Sequence, residues 1–91
     1  MKLENYFNLA KTKNNLNSSR KLAKTLGLSQ NAVFFYEQKR AIPSDQTMLK
    51  IADLAGVKPE IALLDMNIWR NEANPEVCKI YENLKNLTSK L

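Results

Sequence analysis

The stretch SQNAVFFYEQ contains the most unusual run of side chains in the chain, three consecutive aromatic residues, Phe34, Phe35 and Tyr36. If the stretch is helical, each of these side chains is turned by about 100° from the one before it. A chain of 91 residues forms one modest core, which cannot bury three such neighbours. At least one phenylalanine is therefore expected to face outward, where its ring can make apolar contact with a partner.

The residues needed for covalent or metal chemistry are scarce. The sequence has no histidine and one cysteine, Cys78, which argues against His-based acid–base catalysis, an internal disulfide and the usual zinc sites. It also lacks a Gly-rich phosphate loop and paired acids in a plausible cleft. We therefore expect no enzyme activity, no cofactor and no metal. The start, MKLENYFN, lacks the apolar core of a signal peptide, and no apolar run approaches the roughly 20 residues of a membrane span, so we expect a cytoplasmic protein.

Positive charge is concentrated in the first half of the chain. The formal net charge is +5, but residues 1–40 hold eight Lys and Arg against two acids, which gives +6. Residues 41–91 hold six against seven, which gives −1. This asymmetry indicates a polyanion-binding segment followed by a near-neutral remainder. A basic surface without a partner would have the same composition, so charge alone leaves both interpretations open.

Six helices are predicted to position these side chains, since Gly and Pro are rare and Leu, Ala, Lys and Asn dominate. Serine N-caps, glycines and first-turn prolines mark the helix ends. The expected helices span about residues 3–14, 19–26 and 30–38, followed by a fourth between Ser44 and Gly56, a fifth from Pro59 and a sixth from Pro75.

The second and third helices carry a spacing that is typical of a helix-turn-helix. Ala23 is small where the two helices would cross closely, Gly27 follows in the turn, and Val33 comes six residues later and points back at Ala23. Such a unit needs a close helix contact, a turn with positive φ and a branched apolar wedge. An ordinary helical hairpin is the poorer interpretation, because the caps and the basic charge occur together with this spacing.

The helical wheel of the third helix separates its aromatic residues. With Val33 at 0°, Phe34 lies at about 100°, Phe35 at about 200° and Tyr36 at about 300°. Val33 and Tyr36 therefore share the buried side. Phe35 is nearly opposite to them, and Phe34 flanks it.

The segment LAKTLGLSQNAVFFYEQKRAIPSDQTMLKIADLAGV resembles the helix-turn-helix of Cro/CI-type phage repressors. That family typically has a small residue four before the turn glycine, Ser or Thr before the recognition helix, and an aromatic residue followed by Glu at its end, as in Tyr36-Glu37. The resemblance covers about residues 3–57. The tail NPEV-x-x-IYENL also resembles that of small phage and prophage regulators. Ser19 stands where the family often has Gln, and Lys39 where it often has Gly.

The resemblance implies an all-α, lambda-repressor-like fold, a compact bundle of five to six helices. It implies a helix-turn-helix DNA-binding domain over residues 1–57 and a helical extension over residues 58–91, with a possible role in dimerisation. Double-stranded DNA is the implied partner, and a cytoplasmic protein of this type would act at the bacterial nucleoid.

The resemblance also implies which side chains contact bases. In the family, the first residues of the recognition helix and the one five positions further on reach the base edges, and here these are Gln30, Asn31 and Phe35. Gln and Asn can bind adenine bidentately, and an outward Phe can contact thymine methyl groups, so the implied site is rich in A·T. Phe34 is a further candidate for base contact, although contact with the fourth helix or a partner subunit is favoured for it.

Basic and hydroxyl side chains near the recognition helix are expected to contact the DNA backbone, which positions a protein without specifying sequence. They are Ser19, Arg20, Lys21, Lys24, Ser29, Lys39 and Arg40, together with Lys11 and Lys13 of the first helix.

The sixth helix carries a possible dimer interface. Val77, Ile80, Leu84, Leu87 and Leu91 follow the 3, 4, 3, 4 spacing of an a/d heptad seam. Two heptads alone make a weak coiled coil. The sixth helix could instead fold back on the first and fifth helices of its own chain, and the sequence favours neither arrangement. Trp69 is predicted to anchor either one.

Three classes of function fit these features. The leading one is a sequence-specific repressor, which binds a pseudo-palindromic operator as a homodimer and is controlled by its concentration or by an antirepressor protein. The second is an antitoxin that represses its own operon and also binds a toxin protein. The third is a protein-interaction adaptor without DNA binding, in which Phe34 and Phe35 form the partner surface.

Overall fold

The computed structural model describes residues 1–90, and over that range its only regular elements are six helices. They are α1 (Leu3–Lys13), α2 (Ser19–Leu26), α3 (Gln30–Glu37), α4 (Asp45–Ala55), α5 (Pro59–Arg70) and α6 (Pro75–Ser89). The predicted all-α bundle is confirmed.

The ends of the short helices follow from local sequence. Ser18, Ser29 and Ser44 each precede a helix, and each hydroxyl oxygen accepts a hydrogen bond from the amide three residues on, at 3.2, 3.1 and 3.3 Å. These bonds satisfy amides that have no partner within the helix. Gly27 and Gly56 end α2 and α4 in the left-handed conformation, with φ of 71° and 72°, which glycine adopts without steric cost.

Helix α1 lies at the centre of the bundle, in contact with α2, α3 and α4. Its Tyr6, Phe7 and Ala10 are almost completely buried. Around them lie buried apolar residues of α2, α4 and α5, namely Leu22, Leu26, Met48, Ile51, Ala52, Ala55, Ala62 and Met66. Helix α5 therefore contributes to the same core as α1, α2 and α4, although it lies in the predicted extension.

A buried carboxylate joins the two ends of the chain to the middle. Asp65 of α5 is 1% exposed. The Tyr6 hydroxyl donates to its Oδ2 at 2.5 Å, while Lys85 Nζ and the amino group of Met1 lie 2.7 and 3.2 Å from its Oδ1. An ionised buried carboxylate is tolerated only with partners of this kind. Asp65 thus links α1, α5 and α6.

The contacts with Asp65 raise the pKa of both the Tyr6 hydroxyl and the Lys85 ammonium group. Burial raises the pKa of the Tyr6 hydroxyl above its usual range, and the hydrogen bond to Asp65 and its negative charge raise it further. For Lys85, burial lowers the pKa of the ammonium group, but the interactions with Asp65, together with those of the N-terminus and Glu82, outweigh burial and the pKa is raised. Both groups therefore keep their protons more tightly in the folded state.

Helix α6 folds back on α5, but not through the predicted seam. Lys85 binds Asp65, and the Cys78 thiol donates to the carbonyl oxygen of Asn71 at 2.8 Å. Seam residues Val77, Ile80, Leu84 and Leu87 are 36–62% exposed. The predicted alternative, in which the sixth helix folds back on the first and fifth helices of its own chain, is found for α5, through a face of α6 other than the seam. Leu91, the last predicted seam residue, lies outside the described residues.

The raised pKa of Tyr6 predicts a loss of stability in alkali. Between the unfolded pKa, about 10 for Tyr, and the higher folded value, the unfolded state releases the proton first, so stability falls as pH rises. Tyr6→Phe removes this dependence and should flatten the decline of the unfolding free energy above pH ~10 in urea titrations. At neutral pH it should cost about 1.5–3 kcal/mol, the value of a hydrogen bond to a charged group.

Tyr81→Phe is the matched control, since Tyr81 is only half-buried on α6. Equal alkaline slopes for the wild type and Tyr6→Phe would contradict the assignment of the pH dependence to Tyr6.

Candidate nucleic-acid interface

The turn between α2 and α3 is built as the spacing predicts. Ala23 is 3% exposed and Val33 is completely buried. The amide of Leu28 donates to the carbonyl oxygen of Ala23 at 2.9 Å, which closes the turn around the left-handed Gly27. A Cβ at Gly27 would meet no atom within 4 Å, so glycine is favoured here by its positive φ and not by crowding.

Helix α3 has one face in the core and the opposite face in solvent. Val33 is buried, and the half-buried ring of Tyr36 lies 6.5 Å from that of Phe7 in α1. Phe34 and Phe35 are 52% and 42% exposed. The run of three aromatic residues is thus divided as the helical wheel predicts, with one residue turned to the core and two outward.

The two exposed phenylalanines form a single apolar surface, with ring centroids 6.0 Å apart. Gln30 and Asn31, one turn earlier on the same helix, are also exposed. Helix α3 contacts α1 and α2 but not α4. The predicted contact of Phe34 with the fourth helix is therefore not made, and four side chains suited to contact with bases are exposed on α3.

Lys39, two residues after the end of α3, has a strained backbone conformation. Its φ is 60°, in the left-handed region where the resemblance led us to expect glycine. The amides of Lys39 and Arg40 donate to the carbonyl oxygens of Tyr36 and Phe35 at 3.1 and 2.9 Å, which is a Schellman end. A residue with a Cβ costs about 1–2 kcal/mol in this conformation. The positive φ of Lys39 is therefore a local cost to the stability of the free protein.

Exposed positive charge surrounds α3. Arg20, Lys21 and Lys24 on α2, and Lys39 and Arg40 after α3, are all exposed, and none forms an ion pair within residues 1–90. Ser29 is exposed as well. Ser19 is half-buried, and its hydroxyl accepts a hydrogen bond from Lys11 Nζ at 3.1 Å, so the Lys11 charge lies at the start of α2.

Two other predicted residues have contacts within the chain. The Lys13 ammonium group lies against Gly56 at the C-terminal end of α4, where a Cβ would collide with it. A cation is favourable at that end of a helix. Trp69 meets Tyr6 edge to face, with centroids 5.8 Å apart, and its indole nitrogen donates to the carbonyl oxygen of Met1 at 3.2 Å. Its predicted place in a dimer interface stays a prediction.

Two short helices that cross closely, a left-handed turn and an exposed second helix bordered by free cations define a helix-turn-helix DNA-binding domain. In agreement, residues 10–61 match the family model described as Helix-turn-helix (HTH_3). The chain belongs to this family, of the Cro/CI type, and is a DNA-binding transcriptional regulator. No curated protein and no solved structure matches it. Within residues 1–90, no helix has the length and apolar character needed to cross a bilayer.

The strain at Lys39 predicts that stability and DNA affinity change in opposite directions. Lys39→Gly should raise the unfolding free energy by about 1 kcal/mol, because glycine accepts positive φ without cost. It should also weaken binding to all DNA sequences and reduce the slope of log K against log salt by about 1, as expected for one lost phosphate contact. Urea denaturation and salt-dependent binding assays measure the two effects.

Asn15→Gly is the matched control, since Asn15 also has a positive φ, 54°, but ends α1. It should be at least as stable as the wild type and keep the wild-type salt slope. A Lys39→Gly protein with unchanged stability would refute the strain, and one with an unchanged salt slope would remove Lys39 from the DNA contacts.

Proposed function

We propose that the protein is a phage or prophage repressor that binds a pseudo-palindromic, A·T-rich operator as a homodimer. The observation that carries this proposal is the solvent face of α3, on which Gln30, Asn31, Phe34 and Phe35 are exposed while Val33 holds the opposite face in the core. A helix of this kind fits the major groove, where each base pair has a distinct pattern of donors, acceptors and methyl groups.

Each exposed side chain on α3 has a chemically matched partner in the groove. The amides of Gln30 and Asn31 can donate to N7 and accept from N6 of adenine, and the ring of Phe35 can cover a thymine methyl group. Phe34, which is the more exposed of the pair, extends the same apolar surface toward the neighbouring base pair or toward a second subunit. The operator is therefore expected to contain A·T steps in each half-site.

The cations around α3 supply contacts to the DNA backbone. Arg20, Lys21 and Lys24 lie before the turn, and Lys39 and Arg40 follow α3, so phosphates on both sides of the groove can be neutralised. Ser19 and Ser29, at the starts of α2 and α3, add hydroxyl groups near helix N-termini, which favour anions. These contacts fix the register of the protein on the duplex without reading sequence.

Two exposed apolar surfaces support two other candidate functions. The Phe34–Phe35 surface suits a protein-interaction adaptor, and the uncovered seam of α6 suits an antitoxin that binds a toxin protein or a repressor that binds an antirepressor. Selection of bound DNA from a random pool at one stated salt concentration separates the two DNA-binding functions, repressor and antitoxin, from the adaptor. A repressor should enrich a two-fold symmetric, A·T-rich sequence, whereas an adaptor should enrich none.

Two substitutions in α3 test whether Val33 belongs to the core face and Phe35 to the face that contacts DNA, because their expected effects are opposite. Val33→Ala should lower stability by about 1–3 kcal/mol and reduce DNA binding only as folded protein is lost. Phe35→Ala should leave stability nearly unchanged and weaken the best sites by about 1–3 kcal/mol, with little effect on random DNA. Thermal unfolding and binding to selected and random duplexes measure both. Equal weakening on both kinds of DNA would exclude base contact by Phe35.

A further inference from the structure

Helix α6 leaves an apolar stripe uncovered. We call Val77, Ile80, Leu84 and Leu87 the α6 seam; these side chains are 36%, 60%, 44% and 62% exposed. The seam is uncovered because a neighbouring face of α6, through Cys78 and Lys85, holds the helix on α5. A contiguous apolar stripe on an otherwise well-packed small domain marks a contact with another molecule.

From the seam and the charges beside it, we infer that α6 pairs antiparallel with α6 of a second copy about a two-fold axis. This deepens the proposed function, because that function includes a dimer. In the heptad of α6, Val77 and Leu84 are a positions and Ile80 and Leu87 are d positions. In antiparallel pairs the a positions of one helix lie opposite the d positions of the other. Val77 would then lie opposite Leu87 of the second copy, and Ile80 opposite Leu84. In both pairs the two residues lie equally far from position 82. A single alignment of the two helices therefore brings all four seam residues into contact.

Charges beside the seam select the antiparallel direction. Glu76 and Lys90 occupy the g positions at the two ends of α6, both exposed and neither in an ion pair within residues 1–90. In an antiparallel pair g positions face one another, so each Glu76 meets Lys90 of the second copy. In a parallel pair g faces e of the partner helix, which places Glu76 beside Tyr81 and forms no ion pair.

The length of α6 implies a weak, concentration-dependent dimer. Its 15 residues extend over about 22 Å and hold only two heptads. Such an interface is small for a stable dimer. An operator with two half-sites would hold both copies at a high effective concentration, so DNA should strengthen the pairing. Dimerisation would then contribute to the concentration dependence of operator binding.

Charge reversal tests the pairing direction in the absence of DNA. In sedimentation equilibrium, Glu76→Lys or Lys90→Glu should each weaken the dimer about tenfold, because two symmetry-related pairs turn repulsive. The double variant restores opposite charges across the pair and should recover most of the wild-type affinity. This recovery distinguishes the contact between the two helices from any effect that either change has on its own helix end. Glu72→Lys, with the same charge change outside α6, should dimerise like the wild type. Weakening in the double variant beyond either single variant would overturn the antiparallel direction.

A symmetric crosslink gives an independent test of the register. Asn83, the central g position, is the one that faces itself across an antiparallel pair. In a Cys78→Ser background, Asn83→Cys should be linked into a covalent dimer by a short bismaleimide, which spans the two flanking thiols, whereas Glu82→Cys, which points away from the seam, should not. Equal crosslinking at both positions would overturn the register.

The seam itself is tested by Leu84→Asp. Because Leu84 is 44% exposed, the variant should stay folded, with wild-type helicity, and sediment as a monomer. A folded Leu84→Asp dimer, or a wild type that stays monomeric at millimolar concentration, would overturn the inference. All of these measurements are made without DNA. Failure of DNA binding with an intact antiparallel dimer would therefore contradict the proposed function alone.

Discussion

The arrangement of the bundle depends on two adjacent side chains of α1 that point to different neighbours. Tyr6 donates to the buried carboxylate of Asp65 in α5, and Phe7 lies against Tyr36 of the recognition helix. Helix α1 therefore connects the C-terminal helices to α3, which carries the proposed DNA-contact surface. Asp65 also binds Lys85, so the same carboxylate fixes the face of α6 that packs in the chain and the face that stays exposed. Removing it would disturb both.

Helix α3 is shaped by competing demands from stability and binding. Its eight residues contain one fully buried side chain, Val33, while Phe34 and Phe35 remain largely in solvent. Moreover, Lys39, two residues after the end of α3, has a positive φ, although glycine would be more stable there. Neither feature adds to the stability of the fold, and both fit the proposed contact of α3 with DNA. Proteins often carry such local costs at functional sites.

Local features could be predicted from the sequence, and long-range ones could not. The serine caps and the spacing of Ala23, Gly27 and Val33 act within a few residues, so pattern and geometry predict them. The Tyr6–Asp65 bond joins residues 59 apart, and no local signal marks it. For α6, the heptad spacing identified the apolar seam but not the face that packs on α5. That choice depends on the bond between Lys85 and Asp65, which requires the folded chain.

Base reading by the outward face of α3 is tested most directly by a cycle between Phe35 and a thymine methyl group. Binding of the wild type and Phe35→Ala would be measured on the selected operator and on the same duplex with uracil in place of the contacted thymine, at one salt concentration. For Phe35→Ala on the selected operator, a loss of about 1–3 kcal/mol is expected. Replacing the thymine by uracil should reproduce part of that loss in the wild type and should cause no further loss in Phe35→Ala, because the ring that contacts the methyl group is already gone. An equal uracil effect in both proteins would contradict base reading by Phe35.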